Sequence, residues 1–567
     1  MSHSEIGTTA PPTTIPAALA RLAGTHNKGF TFLDSKLRPE VWSFARVAEE
    51  VDRWCRFFLA HGLKKGDRLA MIVPDNRNFV LSFLGAISAG ILPVPLYPPI
   101  MGDRLNSYLE TLSGILQHAQ PRFLLTGAML APQARGLTAG FPHLEGVLSV
   151  EDIQHWTDPD PARQPPPVTP TDPCFLQFTS GSTAKPKGVV ISHANLIANA
   201  RAIGHGLRLQ PDADRGVSWL PLFHDMGLIG FVITPLLFAV DVVFIPTMAF
   251  IRRATVWMET ISRYGGTITF APNFAFGLAA KRIRNPERLD LKQLRVVGCG
   301  AEPINGETLR HFYQTHRRTG LAANALTPCY GMAEATLAVT FADVEQPFRA
   351  VTVDREAYEE ELVVRAPAGH DEDRDGLQLV SCGKTFPGHQ VAIVDPDGNH
   401  LEVGRVGEIL FRGPSVTRGY FGDRAASDEL IRNGWLHTGD LGFLHNGELF
   451  VSGRKKDLII INGRNYFPQA IEWEVENVEG IRRGNTVAFG VQGNDTESLV
   501  IVSEAKGGDR GAVAARVRQR ISDAFGIVPA DVALWDRGKL PKTTSGKIQR
   551  RRTRALYINL RRQRAAA

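Results

Sequence analysis

Residues 178–193 read FTSGSTAKPKGVVISH, and their types could hold one polyanion. The stretch follows the apolar Cys174, Phe175 and Leu176, gathers two glycines, Ser/Thr hydroxyls and two lysines, and returns to the apolar Val189, Val190 and Ile191. Backbone N–H groups, hydroxyls and an ammonium on such a loop can face a phosphate chain together. No stretch reads G-x-x-x-x-G-K-[ST], so this is not the loop of P-loop nucleotide enzymes. The alternative, on composition alone, is a Ser/Gly/Pro-rich surface turn. Further along stand a histidine among apolar neighbours (His224), carboxylates at Glu334 and Asp440, Arg454, and Lys547 in PKTTSGKI. Taken singly, His224 reads as a structural ring bonded to a carbonyl, Glu334 as a helix-start carboxylate, and the other charges as solvated surface groups.

The elements that must position these groups alternate between strand and helix. Leu69 to Val73 is a short apolar run, Phe79, Phe83 and Ile87 have helical spacing, and Ile91 to Val94 is extended again, which predicts a β-α-β unit. Residues 157–173, TDPDPARQPPPVTPTDP, form a proline-rich connector that delivers the chain into the loop. Strand-like runs at 241–246, 267–272 and 294–298 continue the alternation, and the residues after such strands are where ligands of open α/β sheets bind. From about Gly383 the texture changes to short strands, with Asp397-Gly398 and Asn446-Gly447 as hairpin signals. Val513, Val517, Ile521 and Phe525 mark an amphipathic helix.

Composition bounds the class. A chain of 567 residues is long enough for two or more domains, and 43% hydrophobic with 22% charged residues is ordinary for a globular protein. A net charge of +6 does not call for nucleic acid, and an acidic protein partner is equally compatible. Five scattered cysteines without a C-x-x-C predict reduced thiols and no zinc site. Without a leader-like N-terminus or a long apolar run, the expectation is a cytoplasmic protein with no membrane span and no nucleic-acid partner.

TSGSTAKPKGV resembles the phosphate-binding signature of the adenylate-forming superfamily of acyl-CoA synthetases, luciferases and peptide-synthetase adenylation domains, departing from its usual form at Ser182 and Ala184. The resemblance implies that Thr179, Ser180, Gly181, Ser182, Thr183 and Lys187 bind the phosphates of ATP. It implies that Gly300, Ala301, Glu302, Tyr330, Gly331 and Met332 lie about the adenine, and that Asp440 and Arg454 hold the ribose. Glu334 would hold Mg²⁺ with help from Thr183, Lys547 would be the catalytic lysine, and Lys456 the hinge. The implied fold is α/β: a large N-terminal domain, 1–455, of two α/β subdomains plus a β-rich one, and a small mobile α+β domain, 456–567.

Residues 351–382 lie between the Glu334 motif and Gly383-Lys384-Thr385-Phe386-Pro387-Gly388 as an extra stretch with nine Asp/Glu against three Arg from 354 to 375. Together with FHDMGLIG and GMAEAT it resembles the fatty acyl-AMP ligases. That resemblance implies activation of a fatty acid with ATP to acyl-AMP and transfer to the phosphopantetheine thiol of an acyl carrier protein. The acyl chain is expected near Trp219, His224, Met226, Ile229, Asn273 and Phe274. Two alternatives stand beside it: a fatty acyl-CoA ligase releasing acyl-CoA, and a non-catalytic module that binds acyl-adenylate. For the insertion, the alternative is a solvated acidic excursion.

Overall fold

The computed structural model describes residues 11–98, 105–136, 138–179, 186–283, 285–367, 376–492, 497–542 and 547–566. Two compact units emerge. One comprises Met1–Thr269, Met332–Ala338 and Gly413–Glu429, the other Phe270–Gly331, Val339–Arg412 and Leu430–Ala567.

In the first unit the expected β-α-β is present as Arg68–Ile72, Asn76–Ser88 and Leu92–Pro95. Its helix starts where it does because the Asp75 carboxylate accepts the Asn78 N–H at 2.9 Å. The two strands run parallel, with Arg68 opposite Leu92, and the sheet extends through Phe123–Thr126 to Gly146–Ser149. A second parallel set joins Gly29–Leu33, Asp241–Phe244 and Arg215–Ser218. Residues 157–172 hold neither helix nor strand, as the prolines predict. They lead into Pro173–Thr179, which pairs antiparallel with Lys187–Ser192, so the chain leaves and re-enters one two-stranded ribbon around the loop. Ser192 and Asn195 then form a reciprocal capping box that opens the helix His193–Gly206.

The second unit pairs Val296–Cys299 in parallel with Leu326–Gly331. The predicted β-rich part is an antiparallel sheet of Gln390–Val394, Gly407–Arg412, Ile431–Arg432, Trp435–His445 and Glu448–Arg454. Asn446 and Gly447 turn its hairpin with φ of 51° and 75°, the two-residue geometry that Asn-Gly favours. Near the end, Ile481–Gln492, Glu497–Ala505 and Asp531–Trp535 form a sheet covered by the helix Arg510–Phe525, which buries Val513, Val517, Ile521 and Phe525 as their spacing predicts. All five cysteines are free and buried. Among the described residues no helix is long and apolar enough to cross a membrane.

The acidic stretch is no solvated excursion where it is described. Ala350–Asp354 pairs antiparallel with Gly376–Val380, and between them Ala357–Glu361 makes one π-helical turn. Residues 368–375 lie outside the described residues. Tyr358 is buried with its ring 5.2 Å from that of Phe467, and Asn465 Nδ2 donates to the Glu359 carbonyl at 3.0 Å. Burial pushes the Glu359 carboxyl up to about 7, against the opposing pull of Arg355 and Arg464. A carboxyl raised in the folded state is bound to its proton more tightly there than in the unfolded chain. Its stabilising protonation is therefore complete below about pH 4.5 and lost as pH rises towards 7. The Glu359→Gln variant should lose this component: between about pH 5 and pH 8 its unfolding free energy from urea titration should fall by about 2–3 kcal/mol less than that of the native chain. Parallel pH profiles would contradict the burial argument.

Candidate functional site

In the first unit the loop's two anchors face each other across the last pair of its ribbon, Thr179 opposite Lys187. Ser180, Gly181, Ser182 and Thr183 lie outside the described residues. The Lys187 ammonium sits 4.6 Å above the centre of the Tyr420 ring, and the Tyr420 hydroxyl donates to Glu334 Oε1 at 2.8 Å. Lysine, ring and carboxylate thus form one chain of contacts.

Glu334 is carried on a short 3₁₀ turn, Ala333–Ala335, that ends in a strained residue. Thr336 has φ 70° and ψ −59°, and the Leu337 N–H reaches back to the Ala335 carbonyl at 2.9 Å, which closes a three-residue γ-turn. A β-branched side chain in this region costs about 1–3 kcal/mol, so the surroundings must over-determine it. They do so with four side-chain bonds and one from the backbone. Buried Asn199 donates to the carbonyls of Ala335 (3.3 Å) and Ala338 (2.9 Å) and accepts the Ala338 N–H at 3.0 Å. Thr336 Oγ1 donates to the Ser415 carbonyl at 2.6 Å, and the Thr417 N–H to the Glu334 carbonyl at 2.9 Å. Sequence reading missed Asn199; its only signal is an amide, beyond the capping Asn195, among the packed positions of a helix that also buries Leu196, Ile197 and Ile203.

Four of the residues expected around an acyl chain lie in this same unit. Trp219 is buried and stacked on Phe250, ring centres 3.7 Å apart. His224 and Met226 are partly exposed, and Ile229 is fully buried at the start of a π-helical turn, Ile229–Ile233. Turns of this kind recur at functional sites. Gly227 is obligatory, since a Cβ there would meet the Pro221 carbonyl oxygen at 2.4 Å. The other two, Asn273 and Phe274, belong to the second unit.

There they open the helix Asn273–Arg282 beside the expected adenine loop. The Phe274 N–H donates to Glu302 Oε1 at 2.7 Å, and Asn273 Oδ1 accepts the Asn305 N–H at 3.1 Å. Burial raises the Glu302 carboxyl, while that N–H and then the ammonium groups of Lys547 and Lys542 pull it down. Lys547 therefore lies within electrostatic reach of the loop Gly300–Ala301–Glu302. Ala301 takes a positive φ of 68°, and a Cβ on Gly300 would meet Cys329 Sγ at 2.6 Å, so the backbone packs too closely there for a side chain.

Tyr330, Asp440 and Arg454 converge. The buried Asp440 carboxylate accepts the Tyr330 hydroxyl at 2.7 Å on Oδ2, and Arg454 Nε stands 3.3 Å from Oδ1. Desolvation raises the Asp440 carboxyl, and Arg454 and Tyr330 oppose that rise. Arg454 remains mostly exposed, leaving a carboxylate and a guanidinium side by side, the pair that can accept from and donate to a diol. Gly331 ends the strand that carries Tyr330, and Met332 follows in the first unit.

Lys456 is exposed in the short turn Lys455–Asp457. The neighbouring Asp457 is tied to Arg550. Arg550 Nη1 lies 3.3 Å from Asp457 Oδ2, Nη2 lies 2.7 Å from Glu472 Oε1, and Nε donates to the Ala488 carbonyl at 3.0 Å. The residues just after Lys547 are thus fastened to the turn expected to be the hinge. Among the described residues no group of three or more His, Cys, Asp or Glu side chains is placed to hold a metal ion.

Comparison with known proteins adds the family. Residues 23–421 match the model of the AMP-binding enzyme. The chain is 37% identical over 531 residues to a Caulobacter vibrioides protein named, provisionally, an acyl-CoA synthetase, covering 92% of this chain and 91% of that protein. It is 33% identical over 558 residues to the medium-chain-fatty-acid–[acyl-carrier-protein] ligase JamA of Moorena producens, covering 94% and 92%. A solved structure from work on the fatty acyl-adenylate ligases of E. coli and L. pneumophila superposes with a TM-score of 0.91 at 36% identity, over 98% of this chain and 99% of that one.

The Asn199 clamp gives a direct test. Asn199→Ala would leave the Ala335 and Ala338 carbonyls and the Ala338 N–H without that partner inside the core, which should cost about 3 kcal/mol by chemical denaturation. Asn199→Asp should cost at least as much, because it turns a carboxylate towards two carbonyl oxygens. A loss within about 0.5 kcal/mol would show that the turn is held by other means.

Proposed function

Because the chain belongs to the AMP-binding enzyme family, we propose that it activates a fatty acid with ATP to acyl-AMP and pyrophosphate and then passes the acyl group to the phosphopantetheine thiol of an acyl carrier protein. The observation that carries this reading is Lys547 within electrostatic reach of the Gly300–Glu302 loop, where its ammonium opposes the rise that burial imposes on the Glu302 carboxyl. Lys542, the other lysine of the PKTTSGKI motif, acts on the same carboxyl, which supports putting this motif beside the residues expected at the nucleotide.

The chemistry needs no nucleophilic side chain. A fatty acid is ionised near pH 7, so its oxygen attacks the α-phosphorus directly, the new O–P bond forms, and pyrophosphate leaves with the electrons of the broken P–O bond. Charge cancellation is what the protein must supply. In this reading Thr179, Lys187 and the loop between them hold the phosphates, Lys547 stabilises the oxygens at the reacting phosphorus, and Asp440 with Arg454 fixes the ribose. Glu334 suits Mg²⁺, a hard cation that takes one or two protein carboxylates and completes its shell with phosphate oxygens and water; bound there it would neutralise phosphate charge. The expected contribution of Thr183 falls on a residue outside those described. In the second step the carrier thiol attacks the acyl carbonyl, the C–O bond to AMP breaks, and AMP departs.

We further propose the division at 455/456, with Lys456 as the point about which the C-terminal part turns between the two reactions. The cytoplasm is the proposed location, where ATP and carrier protein are available, and nucleic acid has no part in the proposal. The Caulobacter relative supports the alternative, a fatty acyl-CoA ligase. Incubation with ATP, Mg²⁺ and a fatty-acid panel, with either CoA or phosphopantetheinylated carrier, separates the two by mass spectrometry. Acyl-carrier with little acyl-CoA is expected; abundant acyl-CoA would favour the alternative, and absence of any adenylate would favour a non-catalytic binding module. Lys547→Ala should lower acyl-AMP formation about a hundred- to thousandfold while ATP binding persists. Undiminished adenylation would refute its role.

A further inference from the structure

The last helix, Arg550–Ala566, packs with one face and leaves another uncovered. Thr553 and Tyr557 are buried, with the Tyr557 ring 5.7 Å from Phe489 and its hydroxyl donating to Asp531 Oδ2 at 2.6 Å. On the other side Arg552, Leu556, Asn559, Leu560 and Gln563 follow at three- and four-residue spacing and are exposed. Leu556 and Leu560 keep 40% and 45% of their surface in solvent, an apolar pair one turn apart.

The charge around that pair is local. From residue 456 onward twenty Lys/Arg meet twelve Asp/Glu, an excess of eight, although the whole chain carries only +6. Seven of the twenty are arginines of this helix, and no acidic residue follows Asp536. Arg550, Arg554 and Arg561 have partners on the protein: Arg550 as described, Arg554 Nε at the Gly490 carbonyl, and Arg561 at the Tyr557 hydroxyl. Arg551, Arg552 and Arg562 are exposed and stand in no ion pair among the described residues.

We propose that the exposed arc of the terminal helix docks the acyl carrier protein, Leu556 and Leu560 at one edge meeting an apolar spot on an acidic helical face whose carboxylates engage Arg552 beside them and Arg551 and Arg562 at the other edge. The proposal rests on the transfer reading above, which requires a second protein to bring a thiol to the acyl-adenylate. A carrier is favoured by position and by charge. The helix starts three residues after Lys547 and is fastened through Arg550 to the Lys455–Asp457 turn, so a protein held on it stands beside the catalytic loop and moves with it. Electrostatic complementarity of this kind sets encounter and orientation. A lipid surface fits less well, because two leucines with no aromatic beside them on that face offer little area to bury in a bilayer.

The test measures transfer as a function of carrier concentration for the native enzyme, for the triple variant Arg551→Glu, Arg552→Glu, Arg562→Glu, and for the double variant Leu556→Gln, Leu560→Gln. Pyrophosphate release without carrier is followed in parallel. Both variants should make acyl-AMP at the native rate, since none of these residues touches the reacting groups or packs inward. The triple variant should raise KM for the carrier about tenfold and flatten its salt dependence, with kcat little changed; the double variant should raise KM without altering the salt dependence. KM at the native value in either variant that adenylates normally overturns the proposal. So does loss of binding to vesicles of anionic lipid with carrier KM unchanged, which would assign the helix to a membrane. A native enzyme that adenylates but acylates no carrier refutes the transfer reading itself, and the docking face falls with it.

Discussion

Two anions must meet in the proposed reaction, and most of what the structure does around its expected site follows from their repulsion. A carboxylate approaching a polyphosphate is held off by several negative charges, and at contact distance each unit of charge is worth several kcal/mol wherever water is scarce. Fixed positive groups and oriented N–H donors have to be in place beforehand. Lys187 over Tyr420, Lys547 and Lys542 near Glu302, and Arg454 against Asp440 are such groups, and at Glu302 and Asp440 they oppose the rise that burial imposes on the carboxyl.

Pre-placement has an energetic cost, visible at Thr336. The chain adopts a disfavoured backbone angle immediately after Glu334 and recovers the cost through Asn199, Ser415 and Thr417, residues far apart in sequence. The same arrangement recurs at Arg550, which joins Asp457, Glu472 and the Ala488 carbonyl. In both places a residue that touches no reactant fixes the segment that carries one expected to do so.

Much of this was legible before any coordinates. The β-α-β unit, the hairpin at Asn446-Gly447 and the helix with Val513, Val517, Ile521 and Phe525 could be read because each depends on local spacing or on one turn's dihedral preference. The apolar runs on either side of the phosphate loop could be read in the same way, though not their pairing, which sets Thr179 opposite Lys187. What remained hidden depends on partners distant along the chain. Nothing near Asn199 says that its amide will find the backbone of residues 335 and 338, and Arg550 looks like the other arginines beside it. For the stretch 351–382 the solvated alternative fails for a related reason: its charge suggests solvent, whereas Tyr358 and the Glu359 carbonyl are held by Phe467 and Asn465, more than a hundred residues on.

Whether charge cancellation at Glu334 governs the first step is open to one direct measurement: fatty-acid-dependent exchange of labelled pyrophosphate into ATP, followed against Mg²⁺ concentration for the native enzyme and for Glu334→Gln. The account predicts that the native enzyme exchanges label only when a fatty acid is present. It also predicts that Glu334→Gln shifts the Mg²⁺ requirement upward by at least about tenfold and lowers the maximal rate about a hundredfold or more. Identical Mg²⁺ curves for the two proteins, or exchange that ignores the fatty acid, would contradict it.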